Sequence, residues 1–210
     1  MRRKAGTIMM ILGMIIVFIT IFQYTGHQIK LRHALAQAEA LTEIKSKDAP
    51  APIKPLNTTS SPTKSSISRQ QFNPKENDVI GLLEIPKIDA KLPIIEGTDE
   101  EMLDKGVGHY SPSVFPSDGE QIVLSGHRDT VFRKFADLEI GDRFIVNMPY
   151  GTFEYEMKSS KIVDKDDTSV IRSMGKEVLV LSTCYPFHYV GPAPDRYVIY
   201  AYPVSRDGKI

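Results

Sequence analysis

The chain of 210 residues carries 26 Lys/Arg and 26 Asp/Glu, but unevenly: residues 1–76 hold 11 basic against 4 acidic side chains, and residues 77–210 hold 15 against 22. An acidic body cannot gain affinity by displacing counterions from phosphates, which excludes a nucleic-acid partner. A hydrophobic content of 41% with 14 Gly and 14 Pro excludes a disordered or collagen-like chain, and the lone cysteine, Cys184, excludes a disulfide framework or a multi-cysteine metal site.

From Ile8 to Tyr24 the chain reads IMMILGMIIVFITIFQY, with no charged residue between Lys4 and Lys30. Roughly 20 residues of helix at ~1.5 Å each match the ~30 Å hydrocarbon core of a bilayer. Arg2, Arg3 and Lys4 on the short flank hold that end in the cytoplasm. The expectation is therefore a basic cytoplasmic tail over 1–7, a transmembrane signal-anchor over 8–26 in contact with membrane lipid, and the remaining chain outside the cell. Ala34-Leu35-Ala36 is a small-x-small site that a signal peptidase accepts, but it lies well beyond an apolar run already too long for a signal peptide, so the anchor reads as uncleaved. Leu31, Leu35, Ala38, Leu41 and Ile44 recur at helical spacing and suggest a juxtamembrane stalk or an exposed helix without a partner. Between Ser46 and Glu76 the composition turns to Ser, Thr, Pro and Lys, which cannot bury enough apolar surface to order the chain, so 27–76 is expected to be stalk and flexible linker.

The body, 77–210, reads as short strands separated by Gly, Pro and Asp: Val79 to Ile85, Ala90 to Ile95, Gln121 to Ser125, Arg143 to Met148, Thr152 to Ile162, Val178 to Thr183 and Tyr197 to Tyr202. Helical turns are expected only at Glu100 to Lys105, Val131 to Leu138 and Ser169 to Met174. This pattern predicts a mostly antiparallel β-barrel or sandwich. The run Val178-Leu-Val-Leu-Ser-Thr183 lacks polar alternation and reads as a central strand covered on both faces. If it pairs antiparallel with the strand after the proline-rich loop 186–194, Cys184 and Arg196 meet on one rung, about 5 Å apart.

A lone cysteine in an exported chain is either an inert buried thiol or a reactive one. A cation beside it favours the thiolate, and Arg196 is a permanent one. For a partner imidazole, His27 and His33 lie beside the apolar segment and are set aside. His188, His109 and His127 remain, and His127 stands at a strand end beside Gly126, where a loop-borne site would be. Asp129 reads as a cap for the turn that begins near Val131.

These residues also carry a resemblance. Leu181-Ser-Thr-Cys184 resembles the sortase signature Thr-Leu-x-Thr-Cys, with Val178 or Val180 standing where that signature begins with Thr. Ser125-Gly-His-Arg-Asp129 and Asp195-Arg-Tyr-Val198 resemble the sortase segments that carry the histidine and the arginine, in the family's order. Gly-His-Arg-Asp, Thr-Cys-Tyr-Pro-Phe and Gly-Pro-Ala-Pro-Asp-Arg together are most similar to class D sortases of Gram-positive bacteria. The resemblance, over roughly 77–203, implies an eight-stranded sortase β-barrel with short helices and the catalytic residues Cys184, His127 and Arg196. It implies a cysteine transpeptidase that cleaves an LPxTG-like sorting signal of secreted proteins after Thr, through a thioester, and passes the product to a peptidoglycan precursor or other cell-wall amine. It also implies that residues 161–177 help to bind the signal. No cofactor or metal is expected, since Asp164-Lys-Asp-Asp167 lacks the spacing of a calcium loop and reads as a solvated turn. The rival readings are an L,D-transpeptidase, whose Ser-x-Gly-Cys pattern is absent, and an anchored binding module with an inert thiol.

Overall fold

The computed structural model describes residues 2–46, 67–188 and 191–204. A long helix, α1 (Arg2–Ser46), is followed by eight strands: β1 (Val79–Ile85), β2 (Ala90–Glu96), β3 (Val107–His109), β4 (Gln121–Ser125), β5 (Arg143–Met148), β6 (Gly151–Asp164), β7 (Val178–Tyr185) and β8 (Asp195–Pro203). A one-turn helix, α2 (Glu100–Leu103), lies between β2 and β3. The strands close a barrel in the order β1-β2-β3-β4-β7-β8-β6-β5. Most neighbours are antiparallel, as expected, but β2 with β3 and β4 with β7 run parallel. Closure pairs the edges that an open sheet would leave unbonded.

Alternation along the strands fills the barrel. Ile122 and Leu124 of β4, Leu179 and Leu181 of β7, and Ile199 and Ala201 of β8 enter the central core with Phe132, Phe135 and Phe144. The intervening residues Val123, Val178, Val180, Val198 and Tyr200 form a second cluster, against which Val163, Val170 and Met174 pack. The β4-β7-β8 sheet is thus apolar on both faces, and β7 is the central, doubly covered strand that its unbroken apolar run implied. Burying a side chain of this size contributes about 1.5–3 kcal/mol, so a one-residue slip of β7, which exchanges its two faces, is strongly opposed.

The second half of α1 is not a free stalk. Ala34 and Ala38 are buried, Ala34 in a cluster with Ile95 and Met102 against which Val79 also packs, and Lys30 pairs with Asp104 at 3.3 Å. The expected transmembrane anchor and single-pass membrane localisation are overturned: among the described residues no helix is long and apolar enough to cross a membrane. Of the expected linker, residues 47–66 lie outside the described residues, while 67–76 belong to the fold. There Phe72 meets Phe115 edge-on at 5.3 Å and Arg69 pairs with Asp118.

One polar pair lies inside the packing. His109 is 1% exposed, with Nδ1 2.8 Å from Glu96 Oε2 and Nε2 3.1 Å from the Val114 carbonyl oxygen. The Ser113 hydroxyl also lies 3.2 Å from Nε2, and the ring stacks on Phe115 at 4.4 Å. Replacing the histidine leaves the Glu96 carboxylate buried with no imidazole beside it. His109→Leu is therefore expected to destabilise the protein by ~3–5 kcal/mol in urea unfolding. A loss below about 1 kcal/mol would mean that the pair carries little of the fold.

Candidate active site

Three strands position the candidate residues. In the β7–β8 pair the register sets Ser182 opposite Val198 and Cys184 opposite Arg196. In the parallel β4–β7 pair Val123 stands beside Val180 and Ser125 beside Ser182. Because alternate residues share a face, Val180, Ser182 and Cys184 form one row, flanked by Tyr200, Val198 and Arg196 on one side and by Val123 and Ser125 on the other. Cys184 and Arg196 thus lie at one end of the outer face, above the Val123-Val180-Val198 cluster and outside the central core, and His127 follows two residues after β4 ends beside Ser182.

The backbone leading to His127 is fixed from β7. The Gly126 amide donates to the Ser182 carbonyl at 3.1 Å, and the buried Thr183 hydroxyl donates to the Gly126 carbonyl at 2.7 Å. Residue 126 has no room for a side chain: an added Cβ would stand 2.7 Å from both Phe132 Cε2 and Val131 Cγ2. After His127 the Arg128 guanidinium crosses to the loop that follows Cys184, donating to the carbonyls of Pro186 at 2.9 Å and Gly191 at 3.1 Å. Behind Cys184, Tyr185, Phe187 and Tyr197 pack edge-to-face and back the site with aromatic surface.

Cys184 is a free thiol and partly exposed, which removes the reading of an inert, sealed cysteine. Arg196 is half-buried and donates from Nη1 to the carbonyls of Asp195 at 3.0 Å and Ala193 at 3.5 Å. His127 is also half-buried, with Nε2 3.7 Å from Glu100 Oε1. Glu100 is 83% exposed, so this contact orients the ring only weakly. Among the described residues no hydrogen bond joins the Cys184 sulfur to His127 or Arg196.

The other sequence candidates go elsewhere. His109 is taken up by Glu96, and His188 is exposed in the β7–β8 loop. The Asp129 carboxylate makes no capping bond among the described residues; instead the Asp129 carbonyl accepts from Arg133 Nε at 2.8 Å. Glu100, Asp104 and His127 offer ligand atoms within 4.8 Å of one another, but Asp104 is already paired with Lys30. Asp164 and Asp167 accept from the Asp166 and Ser169 amides. Sequence reasoning missed Gly126 as a packing constraint and Arg128 as a link between loops, for which adjacency to His127 was the only signal.

Residues 83–204 match the Sortase domain family. The chain is 54% identical over 143 residues, 68% of its length and 72% of the relative's, to Sortase D of Bacillus subtilis strain 168. Among solved proteins it is similar to the catalytic domain of B. anthracis SrtD, with 39% identity and a TM-score of 0.55 over 67% of this chain and 97% of that one. It is also similar to the Clostridium perfringens Sortase D5 transpeptidase, with 26% identity and a TM-score of 0.57 over 62% and 82%.

Gly126→Ala tests how the site is built. The collision with Val131 and Phe132 should cost about 1–3 kcal/mol of stability and displace the His127 segment, read as shifts of the 126–132 amide resonances. Full stability with an unmoved spectrum would show that the packing there is slack.

Proposed function

The chain belongs to the sortase family and is a class D-like cysteine transpeptidase, and we propose that Cys184, His127 and Arg196 carry its reaction on an LPxTG-like sorting signal. In this reading the Cys184 thiolate attacks the carbonyl carbon of the signal's Thr. The S–C bond forms as the carbonyl π electrons move to oxygen, and Arg196 donates hydrogen bonds to that oxygen. Collapse of the tetrahedral species breaks the Thr–Gly C–N bond, and protonated His127 gives its proton to the departing amine. The thioester waits for a cell-wall amine, whose attack restores the thiolate while neutral His127 takes the amine's surplus proton.

The observation that supports this reading is the shared end of the β4-β7-β8 face, where Arg196 stands opposite a partly exposed Cys184 and the His127 segment is bonded to β7 through Gly126. A guanidinium across one rung offers a planar fork of donors that can hold a carbonyl oxygen. The lack of a direct hydrogen bond among the three groups does not count against them, since catalytic contacts often tighten when substrate binds. A Cys/His enzyme of the L,D-transpeptidase type and a non-catalytic binding module are both set aside by the family match.

The test uses a Leu-Pro-x-Thr-Gly peptide library with and without an added amine. The parent protein should give amine-dependent ligation product and a peptidyl adduct on Cys184 by intact-mass analysis. Cys184→Ala should give neither, and cleavage retained by that variant would end the proposal. Arg196→Ala should lower kcat about 10²–10³-fold, the usual loss for an oxyanion donor. Arg196→Lys should recover little, because an ammonium lacks the fork. Wild-type rates in Arg196→Ala would remove the arginine from the chemistry.

A further inference from the structure

The connection from β6 to β7 spans thirteen residues, 165–177, on the surface of the barrel. Such a segment normally leaves its conformational entropy to be lost when a ligand binds, about 1–2 kcal/mol for each residue fixed. Here two consecutive residues at the start of the barrel's fourth strand already hold it. The Gln121 side-chain amide donates from Nε2 to the Val170 carbonyl at 2.8 Å and accepts at Oε1 from the Arg172 amide at 3.0 Å. The Glu120 carboxylate accepts from the Ser173 hydroxyl at 2.8 Å, the Met174 amide at 2.7 Å and the Gly175 amide at 2.8 Å. The Met174 amide first, and then the Ser173 hydroxyl, hold the Glu120 carboxyl below the ordinary carboxylate range.

The loop is held over a particular surface. Val170 and Met174, both in the bonded stretch, pack on the Val123, Val180, Val198 and Tyr200 cluster. That cluster lies on the same sheet face as Cys184 and Arg196: its Val198, opposite Ser182, stands on the next rung, and Val180 with Tyr200 on the rung after. A peptide whose scissile carbonyl sits at the Cys184 end and which runs down that face meets the 165–177 connection as a side wall.

We propose that Glu120 and Gln121 are positioning residues that preorder the 165–177 wall over the Cys184 face, so that the sorting peptide binds a finished groove. This rests on the active-site reading above. Neither residue touches the reacting atoms, and both act through the loop. Preordering removes an entropy cost from binding and leaves the barrier of the chemical step alone, so its signature is in KM.

The experiment uses the full chain, the best-cleaved Leu-Pro-x-Thr-Gly peptide and two variants: Glu120→Ala combined with Gln121→Ala, and the isosteric Glu120→Gln, which keeps one acceptor oxygen. In the double variant the Arg172, Met174 and Gly175 amides should exchange at least about tenfold faster, KM should rise about tenfold, and kcat should stay within about twofold of the parent. Alkylation of Cys184 by iodoacetamide should be unchanged. Glu120→Gln should fall between parent and double variant in both exchange and KM, and it is read by the same criteria if the double variant does not fold. The inference is overturned if the amides remain protected, if they are released with no change in KM, or if kcat and alkylation fall together, which marks general damage to the barrel. Cleavage by Cys184→Ala would defeat the active-site reading instead, and a parental KM in these variants beside an inactive Cys184→Ala defeats this inference alone.

Discussion

The structure depends on β7 being buried on both faces between a parallel and an antiparallel neighbour. Leu179 and Leu181 are locked into the central core while Val178 and Val180 are locked into the outer cluster, so the strand has no register or rotation to which it could shift at small cost. The position of Cys184 at its end is therefore set by apolar packing several residues away. Both neighbours inherit that precision: β8 delivers Arg196 by antiparallel register, and β4 delivers the His127 segment by parallel register and the two bonds to Gly126. Under the proposed mechanism, rigid strands do the positioning and a short loop residue supplies the proton carrier, a division that suits chemistry needing sub-ångström placement of a nucleophile.

Polar bonds do the remaining work at the edges of this frame. Arg128 ties the loop after His127 to the loop after Cys184, and Glu120 with Gln121 ties the β6–β7 connection to β4. Each link uses a side chain whose several donors or acceptors meet several backbone groups, which orders a loop at the loss of one side chain's freedom. The site is thus a strand face closed in by connections that are themselves bonded down. The second half of α1 is held to the same framework by the packing of Ala34 on Ile95 and Met102 and by the Lys30–Asp104 pair.

What was legible in the sequence follows from range. Seven of the strands announce themselves by local apolar runs, and β1, β4 and β5 fall at the expected bounds. The three-residue β3 was missed because Val107-Gly108-His109 holds too few apolar side chains to make a run, and Gly108 is there for close approach: a Cβ would stand 2.5 Å from the Gly97 carbonyl oxygen. The Cys184–Arg196 rung could be foreseen because a hairpin joins residues twelve apart. The parallel β4–β7 pair that ties the Gly126 segment before His127 to β7 could not, since it joins residues 57 apart and no local pattern encodes it. The Glu96 partner of His109 and the reach of Glu120 and Gln121 were invisible for the same reason. The long apolar run at the N-terminus shows the opposite error, a strong composition signal extended to a membrane span that the described helix does not make.

The most direct test of the central claim is a structure of the protein with a Leu-Pro-x-Thr peptidyl analogue trapped on Cys184. The account predicts the carbonyl oxygen within hydrogen-bonding distance of the Arg196 guanidinium, the His127 ring on the leaving-group side, and the peptide lying along the β4–β7 face against the 165–177 connection. A peptide bound on another face, or a thioester carbonyl with neither Arg196 nor His127 within reach, would contradict it.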